Sequence, residues 1–76
     1  MRAIGTIPHA MCKVSLFDWN QKYLVKIEQG LCEQTFKMSH FDVADETALR
    51  DAVTPAFIQK ALDRFASMHE DLNELI

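Results

Sequence analysis

The chain has 76 residues, with eight Lys and Arg against eleven Asp and Glu, a formal net charge of −3, and 49% hydrophobic residues. This length fits one small domain, and the composition is typical of a globular protein. The apolar runs are too short for a transmembrane helix, and no signal-peptide pattern is present, so we expect a cytoplasmic protein. The charge is uneven, because residues 1–38 are mildly basic and residues 39–76 are acidic.

The apolar residues of the segment 1–10 show no clear helical or strand periodicity. Ile4 and Ile7 do not alternate cleanly, Gly5 lies between them, and Pro8 removes a backbone donor. We therefore expect a flexible N-terminal arm over 1–10, with an added edge strand as the alternative. Met11 stands just before the first regular strand and is an alternative start of the chain, so the domain itself is predicted over 11–76.

Three segments with alternating apolar and polar residues follow, which predicts an antiparallel β-meander. Asn20 and Gly30 can adopt a positive φ at the two turns between them. The apolar pattern favours a register that pairs Leu16 with Tyr23 and Tyr23 with Phe36, because a slip of one residue would bury charged side chains. The predicted strands span 12–17, 22–28 and 32–38.

Both cysteines lie on the inner face in this register. Cys12 and Cys32 flank Ile27, with a whole strand between them. Two strand spacings amount to ~10 Å, which is too far for a disulfide. We expect both to be buried, reduced thiols that act as small hydrophobic residues.

Two helices are predicted after the sheet. Asp45 is a good N-cap for a short helix over 46–52, and Thr54-Pro55 marks the start of a long helix over 55–72. The long helix carries an apolar stripe with a 3.6-residue period, which would cover one face of the sheet. The fold class is therefore α+β, with both helices packed on one face of a three-stranded antiparallel sheet.

The open outer face is the candidate functional site. The predicted register places Lys13 opposite Lys26 and Lys22 opposite Lys37, and like charges that face each other are destabilising. Lysines can simply keep an exposed sheet soluble and its edges unpaired. Alternatively, they ring an apolar patch that contacts another protein. The candidate interaction residues are Phe17, Trp19, Leu24, Lys13, Lys22, Lys26 and Lys37.

Three functions remain open at this point. The first is a non-enzymatic domain that binds another protein or a second copy of itself through the sheet face or a sheet edge. The second is weak binding of single-stranded nucleic acid by the same lysines and aromatic side chains, although the negative net charge disfavours it. The third is a small thiol enzyme, which would need a cysteine beside a histidine in an exposed pocket.

No catalytic, metal or cofactor motif stands out. His9, His40 and His69 have no metal-ligand spacing to each other or to a cysteine. The two glycines do not form a phosphate-binding loop. We therefore expect no catalytic residues, no metal and no cofactor.

The run from Val14 to Asn20, Lys26-Ile27-Glu28, and Gln34 to Lys37 together resemble a group of short, uncharacterised bacterial proteins. The resemblance extends over about 11–72 and implies a strand-rich first half and a helical tail. It implies a small bacterial cytoplasmic protein, and it carries no activity or functional residue.

Overall fold

The computed structural model describes residues 1–76 as a four-stranded antiparallel sheet followed by two helices. The strands lie in the order β1-β2-β3-β4, so each strand pairs with the next one along the chain. The elements are β1 (Arg2–Ile7), β2 (Lys13–Trp19), β3 (Lys22–Gln29), β4 (Cys32–Ser39), α1 (Glu46–Ala52) and α2 (Pro55–Leu75). The α+β class with two helices is confirmed, whereas the prediction of three strands is wrong.

The additional strand is β1, which lies in the segment that was predicted to be a flexible arm. It pairs with β2 from Arg2 opposite Asp18 to Ile7 opposite Val14, and the pairing is interrupted by an irregularity between Ala3 and Gly5. A bulge of this kind inserts an extra residue on one strand. The insertion breaks the two-residue alternation, which explains why the sequence pattern missed this strand.

Both turns of the predicted meander are shifted from their expected positions. Asn20 and Gln21 form the first turn with φ values of 53° and 62°, which matches a two-residue hairpin loop of type I′. Gly30 begins the second turn with a φ of 60°. The strands consequently pair two residues out of the predicted register, with Leu16 opposite Val25 and Val25 opposite Phe36. Since a shift of two preserves the faces, the inner and outer assignments hold.

Both helix starts are confirmed. Asp45 Oδ1 accepts a hydrogen bond from Ala48 N at 2.8 Å, and Thr54 Oγ1 accepts one from Phe57 N at 3.1 Å. These side chains satisfy donors that the first helical turn leaves free. The short helix has the predicted bounds, and α2 runs three residues beyond the predicted end at 72.

The core lies between the inner face of the sheet and the two helices. Phe65 of α2, Leu49 of α1 and the strand residues Leu16 and Ile27 are fully buried. Gln34 is the polar residue on this face, and its amide donates to Ala61 O and accepts from Arg64 Nε, each at 2.8 Å. Neither helix is long and apolar enough to cross a membrane.

Candidate functional site

The seven predicted interaction residues all lie on the outer side of the sheet, which no helix covers. Phe17, Leu24 and Lys37 form one row across β2, β3 and β4, and Trp19 lies opposite Lys22 near one end. Trp19 is 47% exposed and belongs to β2 rather than to a loop. The structure therefore brings these residues onto one surface, although in different pairs from those predicted.

The predicted repulsive lysine pairs are wrong, because the register is shifted. Lys13 lies opposite Glu28 instead of Lys26. Lys26 Nζ contacts Glu28 Oε1 at 3.5 Å and Glu33 Oε2 at 3.2 Å. The hydrogen bond to Glu33 raises the pKa of Lys26 above its usual range. The outer face is therefore a mixed-charge surface rather than a ring of unpaired lysines.

Leu24 is buried, although the sequence predicted it to be the exposed centre of an apolar patch. Its side chain is only 5% exposed. It lines a hollow of about 180 Å³ together with Met1, Phe17, Lys26, Glu33 and Thr35. Long side chains such as Met and Lys can cover an apolar neighbour with their stems. The outer face consequently offers a polar surface over a small buried apolar site.

The two edges of the sheet differ in how they are protected. The β1 edge carries the irregularity at Gly5, and its backbone carbonyl at Thr6 accepts from Arg50 Nη1 at 3.4 Å. The β4 edge pairs without interruption over eight residues. Bulges and charged side chains are common ways to block pairing at an edge, and β4 carries the charged residues Glu33 and Lys37 but no bulge. Of the two edges, β4 has the regular shape that a further strand could join.

A cluster of polar side chains also connects β1 to β2 and α1. Arg2 Nη2 contacts Asp18 Oδ2 at 3.1 Å and Glu46 Oε1 at 3.0 Å. His40 Nε2 lies 2.9 Å from the other oxygen of Asp18, and its ring packs against Tyr23 with a centroid separation of 4.3 Å. The hydrogen bond from Arg2 is the main cause that lowers the pKa of Asp18. We assign this cluster a structural role, because the side chains of Arg2, Asp18, Glu46 and His40 each contact another member of it.

A second polar cluster joins a cysteine to a histidine, which the sequence analysis did not predict. Cys32 Sγ lies 3.6 Å from His69 Nδ1, and His69 Nε2 lies 3.1 Å from Gln29 Oε1. Cys32 is partly buried at the start of β4, rather than enclosed in the core. His69 is 37 positions away along the chain, so no local spacing could reveal the contact.

No protein-family model, curated protein or solved structure matches this chain. The resemblance to short bacterial proteins therefore stays a prediction. Because a fold of this class hosts many functions, function has to be argued from the surfaces and clusters described above.

Proposed function

We propose that this protein is a small non-enzymatic interaction domain that associates with a second copy of itself through the β4 edge. The observation that supports this proposal is the self-complementary sequence of that edge. Glu33, Thr35 and Lys37 alternate along its outer side and are exposed. A strand of this pattern can add to an identical strand across a two-fold axis.

The backbone of the same three residues is available for pairing. Gln29 and Cys32 flank a two-residue turn and face each other, so they form a hydrogen-bonded pair in the ladder. Hydrogen-bonded positions alternate along a strand, and Glu33, Thr35 and Lys37 therefore direct their N–H and C=O groups away from β3. None of the backbone hydrogen bonds made by turns and loops involves these residues.

Charge favours one register for the paired edges, because that register brings opposite charges together. A two-fold axis at Thr35 places each Glu33 opposite Lys37 of the second copy, on the exposed outer face. Registers centred on Glu33 or Lys37 would instead oppose like charges, which is destabilising. The favoured register forms roughly six main-chain hydrogen bonds, each with a small net contribution. It would join two four-stranded sheets into one continuous sheet.

The lysine-bearing face supports nucleic-acid binding less well. Lys26 already contacts two carboxylates, and Lys13 lies opposite Glu28. Phosphate binding depends on lysines that are free to neutralise the backbone, and it weakens steeply as salt rises. Self-association through main-chain hydrogen bonds has a weaker salt dependence, so the two functions are separable by experiment.

The test is the solution mass of the full chain, measured by light scattering on a sizing column over a range of concentrations and at two salt concentrations. We expect a dimer at both salt concentrations for the unchanged protein. Glu33→Lys and Lys37→Glu should each shift the equilibrium to monomer, and the double exchange should restore the dimer. Lys60→Glu is the matched control, because Lys60 is an exposed residue of α2.

Thr35→Pro probes the backbone rather than the charges. Since the Thr35 N–H points away from β3, proline at this edge position removes only the donor to the second copy. We expect a folded monomer. A monomeric unchanged protein, or a dimer that survives Thr35→Pro, would contradict the proposal. Salt-sensitive binding of a labelled single-stranded oligonucleotide by that monomer would favour the nucleic-acid function instead.

A further inference from the structure

We infer that Cys32 is a reactive thiol that accepts an acyl group from a neutral thioester with an apolar chain. The inference rests on the Cys32–His69–Gln29 cluster and on the apolar hollow beside it. It is independent of pairing through the β4 edge. It adds a covalent modification site to the interaction domain proposed above.

The hydrogen bonds of Gln29 set the proton positions in the cluster. Gln29 Nε2 donates to Met11 O at 3.0 Å, so Gln29 Oε1 is the end of the amide that faces His69. An acceptor at that position favours the tautomer of His69 with the proton on Nε2. The unprotonated Nδ1 then lies 3.6 Å from Cys32 Sγ and can take its proton. This is the arrangement of nucleophile, base and orienting group found in thiol catalysis.

The imidazole ring is held in place on its other sides. The ring of Phe65 stacks on it with a centroid separation of 6.1 Å and an interplanar angle of 29°. The turn at Gly30 lies on another side of the ring, since a Cβ atom added to Gly30 would be in ordinary van der Waals contact with His69 Cε1, at 3.4 Å. A base whose orientation is fixed by packing keeps its lone pair directed at the thiol, which is what efficient proton transfer needs.

The hollow beside the thiol indicates the class of acyl group. It is a shallow, open depression of about 300 Å³, lined by Cys32, Met68, Leu72, the exposed Leu75 and the carboxylate residue Asp71. An apolar chain would contact Met68 and the two leucines. Asp71 disfavours an anionic group next to the sulfur, and no basic side chain lines the hollow. These features select a neutral, apolar acyl donor.

The transfer step needs no oxidant or other co-reactant. The proton of Cys32 moves to His69 Nδ1, and the thiolate attacks the carbonyl carbon of the thioester. A new carbon–sulfur bond forms to Cys32 while the bond to the departing thiolate breaks. His69 returns the proton to that thiolate, which leaves as a free thiol. General acid–base assistance of this kind is worth at least about 100-fold in rate.

Cys12 supplies an internal control. It is also a free, partly buried cysteine, but burial raises the pKa of its thiol. Its nearest histidine in sequence, His9, has Nδ1 occupied by a hydrogen bond from Met11 N at 3.1 Å. The two cysteines therefore differ in one respect, because only the sulfur of Cys32 lies within hydrogen-bond distance of a histidine nitrogen.

The experiment follows acylation of the native full chain by the octanoyl and acetyl thioesters of N-acetylcysteamine, using intact mass and peptide mapping. We expect octanoylation at Cys32 well before Cys12, and slower transfer of the acetyl group. Cys12→Ser should leave the rate unchanged, whereas Cys32→Ser should abolish it. His69→Gln should slow it about 100-fold, and the Thr35→Pro monomer should react like the unchanged protein.

Native-state alkylation by iodoacetamide keeps the inference testable if His69→Gln fails to fold. The unchanged protein should be alkylated at Cys32 about tenfold or more faster than at Cys12, because His69 Nδ1 can accept the proton of the Cys32 thiol. Equal labelling of the two cysteines would overturn the inference. Equal rates for the octanoyl and acetyl thioesters would overturn the assignment of the apolar hollow.

Discussion

Both faces of the sheet contain buried residues, but different parts of the molecule cover them. On the inner face, α1 and α2 bury Leu16, Val25 and Ile27 to 1% exposure or less. On the outer face, Leu24 and Ser15 are 5% and 7% exposed with no second layer above them. Side chains of the sheet itself provide this cover. A small sheet can therefore bury residues on its open face, which a simple in-and-out pattern assigns to solvent.

The comparison predicts the largest loss of stability for a truncation on the inner face. Phe65 is fully buried in the core cluster that includes the inner-face residues of the sheet, and its ring stacks on His69. Phe65→Ala should lower the free energy of unfolding by about 4 kcal/mol, because the rigid helix and sheet cannot collapse into the space left behind. Urea unfolding followed by circular dichroism measures this loss. Ala66→Gly, a change at an exposed position of α2, is the control. If Phe65→Ala lowers the free energy of unfolding no more than this control does, Phe65 is not packed in the core.

Leu24→Ala should have an intermediate effect. Leu24 is only 5% exposed, but the side chains around it include the long, flexible Met1 and Lys26. Because these side chains can move into the cavity, we expect the free energy of unfolding to fall by about 2 kcal/mol. Lys22→Ala, an exposed change on the same face and outside the hollow, is the matched control. If Leu24→Ala unfolds at the same urea concentration as this control, Leu24 is exposed in solution. The exposed apolar patch predicted from the sequence would then be correct.

The smallest effect is expected for the charge of Lys26. Its pKa is raised above the usual 10.5, mainly by the hydrogen bond to Glu33. A cation with a raised pKa contributes stability that is fully present below the unfolded value and is lost as the pH rises through the folded value. Lys26→Met keeps an apolar stem over Leu24 and removes the charge. Its urea midpoint should lie slightly below that of the unchanged protein at pH 7.

The urea midpoints of these two proteins should converge as the pH rises through the raised pKa of Lys26, and also in concentrated salt, which screens exposed pairs. Lys26→Ala removes the stem as well, and it should be less stable than Lys26→Met at every pH. Equal midpoints for Lys26→Ala and Lys26→Met would show that the lysine stem does not cover Leu24. That result would leave Met1 and Phe17 as its cover.

The arrangement of the candidate interaction residues was predictable only in part. Strand parity correctly placed six of the seven candidate residues on the outer side of the sheet, whereas Trp19 was predicted to lie in the turn and belongs to β2. The partners across the strands were not predictable. A first turn over 18–21, as predicted, and a turn over 20–21, as observed, both keep the apolar residues on the inner face. The shift of two residues replaced the lysine pairs by contacts between Lys26 and two glutamates. Parity fixes the face of a strand, whereas the turn fixes the partner.

The amino-acid sequence by itself determined the α+β class, both helix starts and the inner-face residues. These follow from local signals, namely Asp45, Thr54-Pro55 and the apolar periods, which act within a few residues of chain. The tertiary structure decided the remaining features. It paired β1 through a bulge, buried Leu24 under its neighbours, and brought Cys32 to His69 across 37 positions. Contacts of this kind depend on how separate elements pack, and no local period encodes them.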